Sequence, residues 1–322
     1  MIGLPLAAGV VDVHAHWLPE ALFDLPPGAP YGPLHDRDGE LHLGEVPLSV
    51  PTRAMSDVAA IRADMAASGL GVRVLSAPPF AFPVAGGATD YVDAFNEALG
   101  GVVADAAGAL VGLGTVVLDD PGTARAQLQR LAATPGIAGV AIPPLVAGAS
   151  LDRGPLRQVL TDAAALDLAV LVHPMQLPRP EWADHYLANL VGNPVETATA
   201  IAAVLLGGVQ EELPDLRICF VHGGGCAPGL LGRWDHGWRT RADVRRSSTR
   251  PPSETFGELY VDAVTHDPEA LRLLVAHAGK DRLLCGSDHP FDMAQADPVG
   301  FATSHGADAE TITANARAFL GA

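Results

Sequence analysis

Short, near-continuous apolar runs recur along this chain: Val10–His16, Val72–Ala77, Leu110–Val117, Gly139–Pro143, Ala169–His173, Arg217–His222, Leu259–Val264 and Leu283–Ser287. Strands buried on both faces read this way, because parallel sheets are covered by their crossover helices. Between the runs, Ser56–Ser68, Thr89–Ala107, Pro121–Ala133, Leu156–Leu166, Pro194–Leu206, Pro268–Ala278 and Ala309–Leu320 carry helical patterns. Ser56 is the expected N-cap of the first, with Gly69 as its stop. Asn193 is the expected N-cap ahead of Pro194, with Glu196 in the first turn, and Asp267 precedes Pro268. Eight strands alternating with helices predict an α/β fold, a (β/α)8 TIM barrel occupying 1–322 as a single domain. A doubly wound open sheet would usually place a phosphate-binding glycine loop after its first strand, and none follows here.

The connection from Trp17 to Met55 is long for a strand-to-helix loop. Within it, His35 to Leu43 reads as a hairpin turning at Asp38-Gly39. An insertion of this size after the first strand is expected to act as a lid. A second stretch, Arg239 to Ser253, is rich in arginine and proline and predicts no regular element.

The net charge of −17 argues against nucleic acid or an anionic membrane as partner. A small anionic substrate stays compatible with it, because one metal ion and an arginine can reverse the field locally. The three cysteines, Cys219, Cys226 and Cys285, form no Cys-x-x-Cys. Cys219 and Cys285 are expected to be buried core groups; Cys226, after a glycine run, is expected nearer the site. No signal-peptide pattern is evident at the N-terminus, and no apolar run approaches the length of a membrane span. The expectation is a cytoplasmic protein.

Chemistry concentrates at the ends of the predicted strands. His14 and His16 stand one residue apart on the first, so their side chains share a face. His173 ends the fifth strand, His222 the sixth, and Asp288 follows the eighth. Strand C-termini of a barrel converge on one mouth, where catalytic groups gather. Three neutral imidazoles and one carboxylate suit a divalent, zinc-like ion with a position left for water, whose pKa such an ion lowers towards about 7. The remaining histidine is then free for acid/base work. His289 neighbours Asp288 but points the other way, which places it behind the site. His35, His42, His185, His236, His266, His277 and His305 are read as surface or satisfied structural histidines.

The motifs Asp12-Val-His14-Ala-His16, Leu190-Val-Gly-Asn193-Pro-Val-Glu-Thr197, Pro214 to Gly225 around His222, Gly232-Arg233, Asp262 to Pro268 and Gly286-Ser-Asp288-His-Pro-Phe291 resemble the amidohydrolase superfamily. Within it they look like the aminocarboxymuconate-semialdehyde decarboxylase group. The resemblance implies one Zn2+ (or another divalent ion such as Mn2+) held by His14, His16, His173 and Asp288, with His222 as acid/base. It implies a homodimer in which Arg233 reaches a substrate carboxylate across the interface, and a pocket lined by Phe291 and Trp182. The single lysine, Lys280, lies before the eighth strand, so the lysine-bridged binuclear centre of many barrel hydrolases is not expected. Two positions depart from the group's pattern. Ser49 stands where a second carboxylate-binding arginine is usual, with Arg53 only nearby, and His289 replaces a tyrosine. The implied activity is non-oxidative decarboxylation of an unsaturated or aromatic carboxylic acid. The alternative is hydrolysis of a lactone, amide or C–C bond at the same site.

Overall fold

The computed structural model describes residues 4–29, 32–176, 179–305 and 307–322. Its main sheet begins with β1 (Val10–His16). A hairpin and a third strand follow, β2 (Leu34–Arg37), β3 (Glu40–Leu43) and β4 (Val46–Pro51). The main sheet then continues through β5 (Leu70–Ser76), β6 (Leu110–Gly114), β7 (Ile137–Ile142), β8 (Ala169–Val172), β9 (Ile218–Phe220), β10 (Tyr260–Asp262) and β11 (Leu283–Leu284). Each of these strands pairs in parallel with the next in chain order. Parallel bridges Asp12–Cys285 and Ala15–His289 join the last strand to β1 and bring the sheet round into a barrel. The eight runs predicted as strands are all present. The first has the expected bounds, and the other seven end earlier than expected, because the chain there turns out of the ladder to present side chains to the mouth.

The helices Pro121–Ala133, Pro268–Ala278 and Ala309–Leu320 fall where the pattern places them. Asp120 and Asp267 cap the first two, accepting hydrogen bonds from first-turn amides. Three local expectations differ. Asp57, not Ser56, caps Val58–Ala67, its carboxylate accepting from the Ala59 amide at 2.8 Å, while the Ser56 hydroxyl donates to Leu18 O. Asn193 is itself helical (φ −56°, ψ −50°), because a π turn over Ala188–Gly192 feeds into Asn193–Leu206. Together they make a 19-residue helix, Ala188–Leu206, of mean hydropathy 1.2, half of it buried. By length and composition it could cross a membrane, contrary to the sequence expectation, because the π turn joins two segments read separately. Finally, Ala227–Thr240 is a full helix and Pro252–Phe256 a short one. Gly229, Gly232 and Gly237 hid the longer helix, since glycine lowers helix propensity.

The inserted segment forms a three-stranded antiparallel sheet, β2-β3-β4. Asp38 and Gly39 turn between β2 and β3 with φ of 56° and 88°. Positive φ at both central residues is the two-residue hairpin geometry that Asp-Gly favours.

Close strand contact leaves no room for a side chain at Gly139. A Cβ on Gly139 of β7 would lie 2.0 Å from the carbonyl oxygen of Ala169 in β8. Gly139→Ala should therefore lower stability by about 2–4 kcal/mol, read as a fall in thermal midpoint, because backbone cannot yield as a side chain can.

Candidate metal centre

β1 sends Asp12, His14 and His16 to the barrel interior, and every residue of the strand is buried. His173 lies one residue past β8, His222 two past β9, and Asp288 four past β11. His222 and Asp288 have positive φ, 55° and 63°. Non-glycine residues rarely adopt that conformation, and here it bends two functional side chains inward.

All five groups meet. The Asp288 Oδ1 atom is 3.2 Å from His14 Nε2, 3.2 Å from His16 Nε2 and 3.9 Å from His173 Nε2. The other oxygen, Oδ2, is 3.2 Å from His222 Nε2. Donor atoms of His14, His173, His222 and Asp288 all lie within 4.8 Å of one another. That set holds His222 in place of His16, so proximity alone does not choose between them.

The second ring nitrogen separates their roles. His14 Nδ1 is 2.6 Å from Asp262 Oδ2, His16 Nδ1 is 3.2 Å from Ala77 O, and His173 Nδ1 is 2.6 Å from Pro174 O. A ring whose Nδ1 donates to oxygen presents a bare Nε2 to a metal, and such partners fix ligand orientation. Among the described residues His222 Nδ1 has no hydrogen-bond partner, and this side chain is 16% exposed against 0–3% for the other three. Buried Nε2 atoms of His14 and His173 make no hydrogen bond. Orphaned imidazole nitrogens around a carboxylate are what a bound divalent cation would satisfy. The donors therefore fit an ion held by His14, His16, His173 and Asp288 Oδ1, with His222 facing the cavity.

Asp262, at the end of β10, is the functional residue the sequence reading passed over. It is fully buried, and its Oδ1 accepts from the amides of Gly223 and Val264 while Oδ2 receives His14. Its position at a strand end, like that of the five groups assigned, was the available signal. Burial by itself would push His14 down, but the carboxylates of Asp288 and Asp262 outweigh it and raise its pKa to about 10. Burial holds His173 down at about 3 and lowers His16. Asp288, despite burial, is kept well below the usual carboxylate range by the histidines around it.

Two cavities open onto Asp288. One, of about 490 Å³, is lined by His222, Cys226, Thr265, His266, Leu190 and Leu273 among others. The other, of about 380 Å³, is lined by Phe80, Phe291, Met175, Leu48 and Ser49 among others. Asn189, Asn193 and Met293 border both. The Phe291 ring lies 5.1 Å from that of His16 and 6.2 Å from that of Phe80. Cys226 is exposed and borders the first cavity, while Cys219 and Cys285 are core. His266, read as a surface histidine, is exposed yet belongs to the first cavity wall. Trp182 instead packs on Gly192 with Arg179 over its ring, and lines neither cavity. Arg233 is exposed on Ala227–Thr240, one turn beyond Gly229 of the first cavity wall. Arg53 is exposed and lines neither cavity.

Residues 11–320 match the family pattern described as amidohydrolase. The chain belongs to the amidohydrolase family. Within that family it is 32% identical over 261 residues, 78% of this chain and 72% of the other, to 2-amino-3-carboxymuconate-6-semialdehyde decarboxylase of Dictyostelium discoideum. The fold of this amidohydrolase superposes on IDCase of Metarhizium anisopliae with a TM-score of 0.82, at 24% identity over 97% of each chain. It also superposes on a dihydroxybenzoic acid decarboxylase from Polaromonas sp. JS666, solved with bound manganese and 2-nitroresorcinol, with a TM-score of 0.77 at 20% identity over 97% and 96% of the chains.

Two outcomes follow for this amidohydrolase. Metal-free protein holds a proton on His14 up to about pH 10, whereas His16, His173 and Asp288 bind none near neutrality. Metal must displace that proton, so affinity should rise about tenfold per pH unit between roughly pH 6 and 8. Calorimetry in two buffers of different ionisation heat should count about one proton released; a flat pH profile would contradict the assignment. Asp262→Asn should weaken metal binding about 10- to 100-fold, while His305→Ala leaves it unchanged.

Proposed function

We propose that this amidohydrolase is a metal-dependent, non-oxidative decarboxylase of a small unsaturated or aromatic carboxylic acid, with one zinc ion per chain. The observation that carries the reading is the division among four histidines: three have Nδ1 tied to oxygen, and the fourth faces the cavity with Nδ1 untied. The decarboxylase names of the relatives support the reaction type.

When bound, the ion supplies positive charge that orients the acid and stabilises negative charge developing beside the bond to be broken. Loss of carbon dioxide leaves an electron pair on carbon, and a proton must replace the carboxyl group. His222 stands where it can deliver that proton, since it lines the cavity and its Nε2 contacts Asp288 Oδ2 at 3.2 Å. Asp288 would thus have two tasks: Oδ1, beside His14 and His16, would help hold the ion, while Oδ2 contacts His222. Phe291 and Phe80, packed edge to face, offer an apolar wall for an unsaturated or ring substrate.

Among the described residues, neither cavity is lined by lysine or arginine. Ser49 lines the second cavity, which favours a substrate that is neutral at that end. Arg233 is exposed and appears in no ion pair among the described contacts. We extend the proposal to a homodimer in which Arg233 serves the partner's site.

The direct test supplies a panel of aromatic and unsaturated acids to metal-replete enzyme and follows carbon dioxide. Gas should appear, should stop on chelation, and should return with added zinc; products that gain water and release no gas would point to hydrolysis instead. His222→Ala and Asp288→Ala should each reduce turnover by several orders of magnitude. Acids with one carboxylate should show a higher kcat/KM than matching acids with a second carboxylate on the far end.

A further inference from the structure

Behind the five groups at the mouth lies a second set of polar side chains that ligates nothing. Asp12 is fully buried. Its Oδ1 accepts from the amides of His14 (3.1 Å) and Ser287 (3.0 Å), and its Oδ2 from the Ser287 hydroxyl (2.6 Å) and Arg73 Nε (2.9 Å). Arg73, on β5, is also fully buried, and its Nη2 reaches Asp64 Oδ2 at 2.7 Å. The Ser287 hydroxyl in turn accepts from the His289 amide at 3.1 Å. His289 closes the set, with Nδ1 3.3 Å from Asp64 Oδ2 and Nε2 3.1 Å from Ala54 O.

A buried carboxylate and guanidinium are costly to desolvate, and hydrophobic residues of equal volume often stabilise as well or better. Their placement here has a geometric consequence. Asp12 is the only side chain among the described contacts that bonds both to the backbone of His14 on β1 and to the residue preceding Asp288. β1 and the turn after β11 carry groups that must meet within a few ångströms; backbone hydrogen bonds join them, from the Asp288 amide to His14 O at 2.8 Å and from the His16 amide to His289 O at 2.7 Å, and Asp12 adds a side-chain link across the same seam. The turn also holds Asp288 at φ 63°, a conformation that needs support from its surroundings.

We propose that Asp12, neutralised by Arg73 and clamped to Ser287, is a positioning device that sets the distance between the His14/His16 pair and Asp288 for metal binding. The device acts through backbone and hydroxyl contacts and touches neither metal nor substrate. It concerns how the site holds its ion, and stands whether the enzyme decarboxylates or hydrolyses.

Ser287→Ala removes one hydroxyl and little packing, so it is the sharpest probe. Metal affinity, measured by chelator competition with zinc alone, should fall about 10- to 100-fold. The thermal midpoint of metal-free protein should change little. Asp12→Asn keeps the volume but loses the charge that Arg73 neutralises, and should weaken zinc by a similar factor. In the Asp12→Asn background, Ser287→Ala should cost clearly less than it does alone, because both disturb the hydrogen bond between them. Unchanged zinc affinity in a folded Ser287→Ala protein would overturn the proposal. So would a lowered midpoint of the metal-free protein with zinc affinity intact, since that is the mark of a merely structural network. Strictly additive effects of the two substitutions would do the same.

Discussion

Asp288 is the constraint around which the rim of the barrel is arranged. A buried carboxylate is tolerated only when paired, and this one lies within reach of four imidazoles. The rings belong to β1 and to the ends of β8 and β9, while Asp288 itself follows β11. Their meeting therefore requires the sheet to come round on itself. Backbone hydrogen bonds join β1 to the residues after β11 there, and Asp12 adds side-chain contacts to Ser287. Fold and site are coupled at that seam: the place where the barrel closes is also where the ligands converge.

The same carboxylate explains the division of labour. One oxygen faces three rings whose outer nitrogens are fixed by Asp262, Ala77 and Pro174; the other faces His222, whose outer nitrogen is untied. Fixed rings suit a ligand that must not turn. An untied ring suits a group that changes protonation during each turnover. The two cavities then meet at the junction of the two functions, with Asp288 in both walls.

Much of this is legible in the sequence. Parallel strands are buried on both faces, so their apolar runs stand out, and the side-chain period of two places His14 and His16 together. Less legible were features that depend on contacts distant in sequence. Asp262 lies 248 residues from His14; its place at a strand end was a signal, but its pairing with His14 shows only in the fold. The helix Ala227–Thr240 was hidden by its glycines, and the π turn at Ala188–Gly192 by the Asn-Pro pair that looked like a helix start. The Asp-Gly turn of β2 and β3 was readable from local chemistry alone; the other end of that sheet, at Leu43 and Val46, joins the wall of the second cavity.

The central claim is that three fixed imidazoles and one oxygen of Asp288 hold a single ion while His222 stays free. Anomalous diffraction from crystals of zinc-loaded protein tests it most directly. The account predicts one peak per chain, bonded to His14, His16, His173 and Asp288, with His222 outside the ligand shell. No peak at the rim, or a peak bonded to His222 in place of His16, would contradict it.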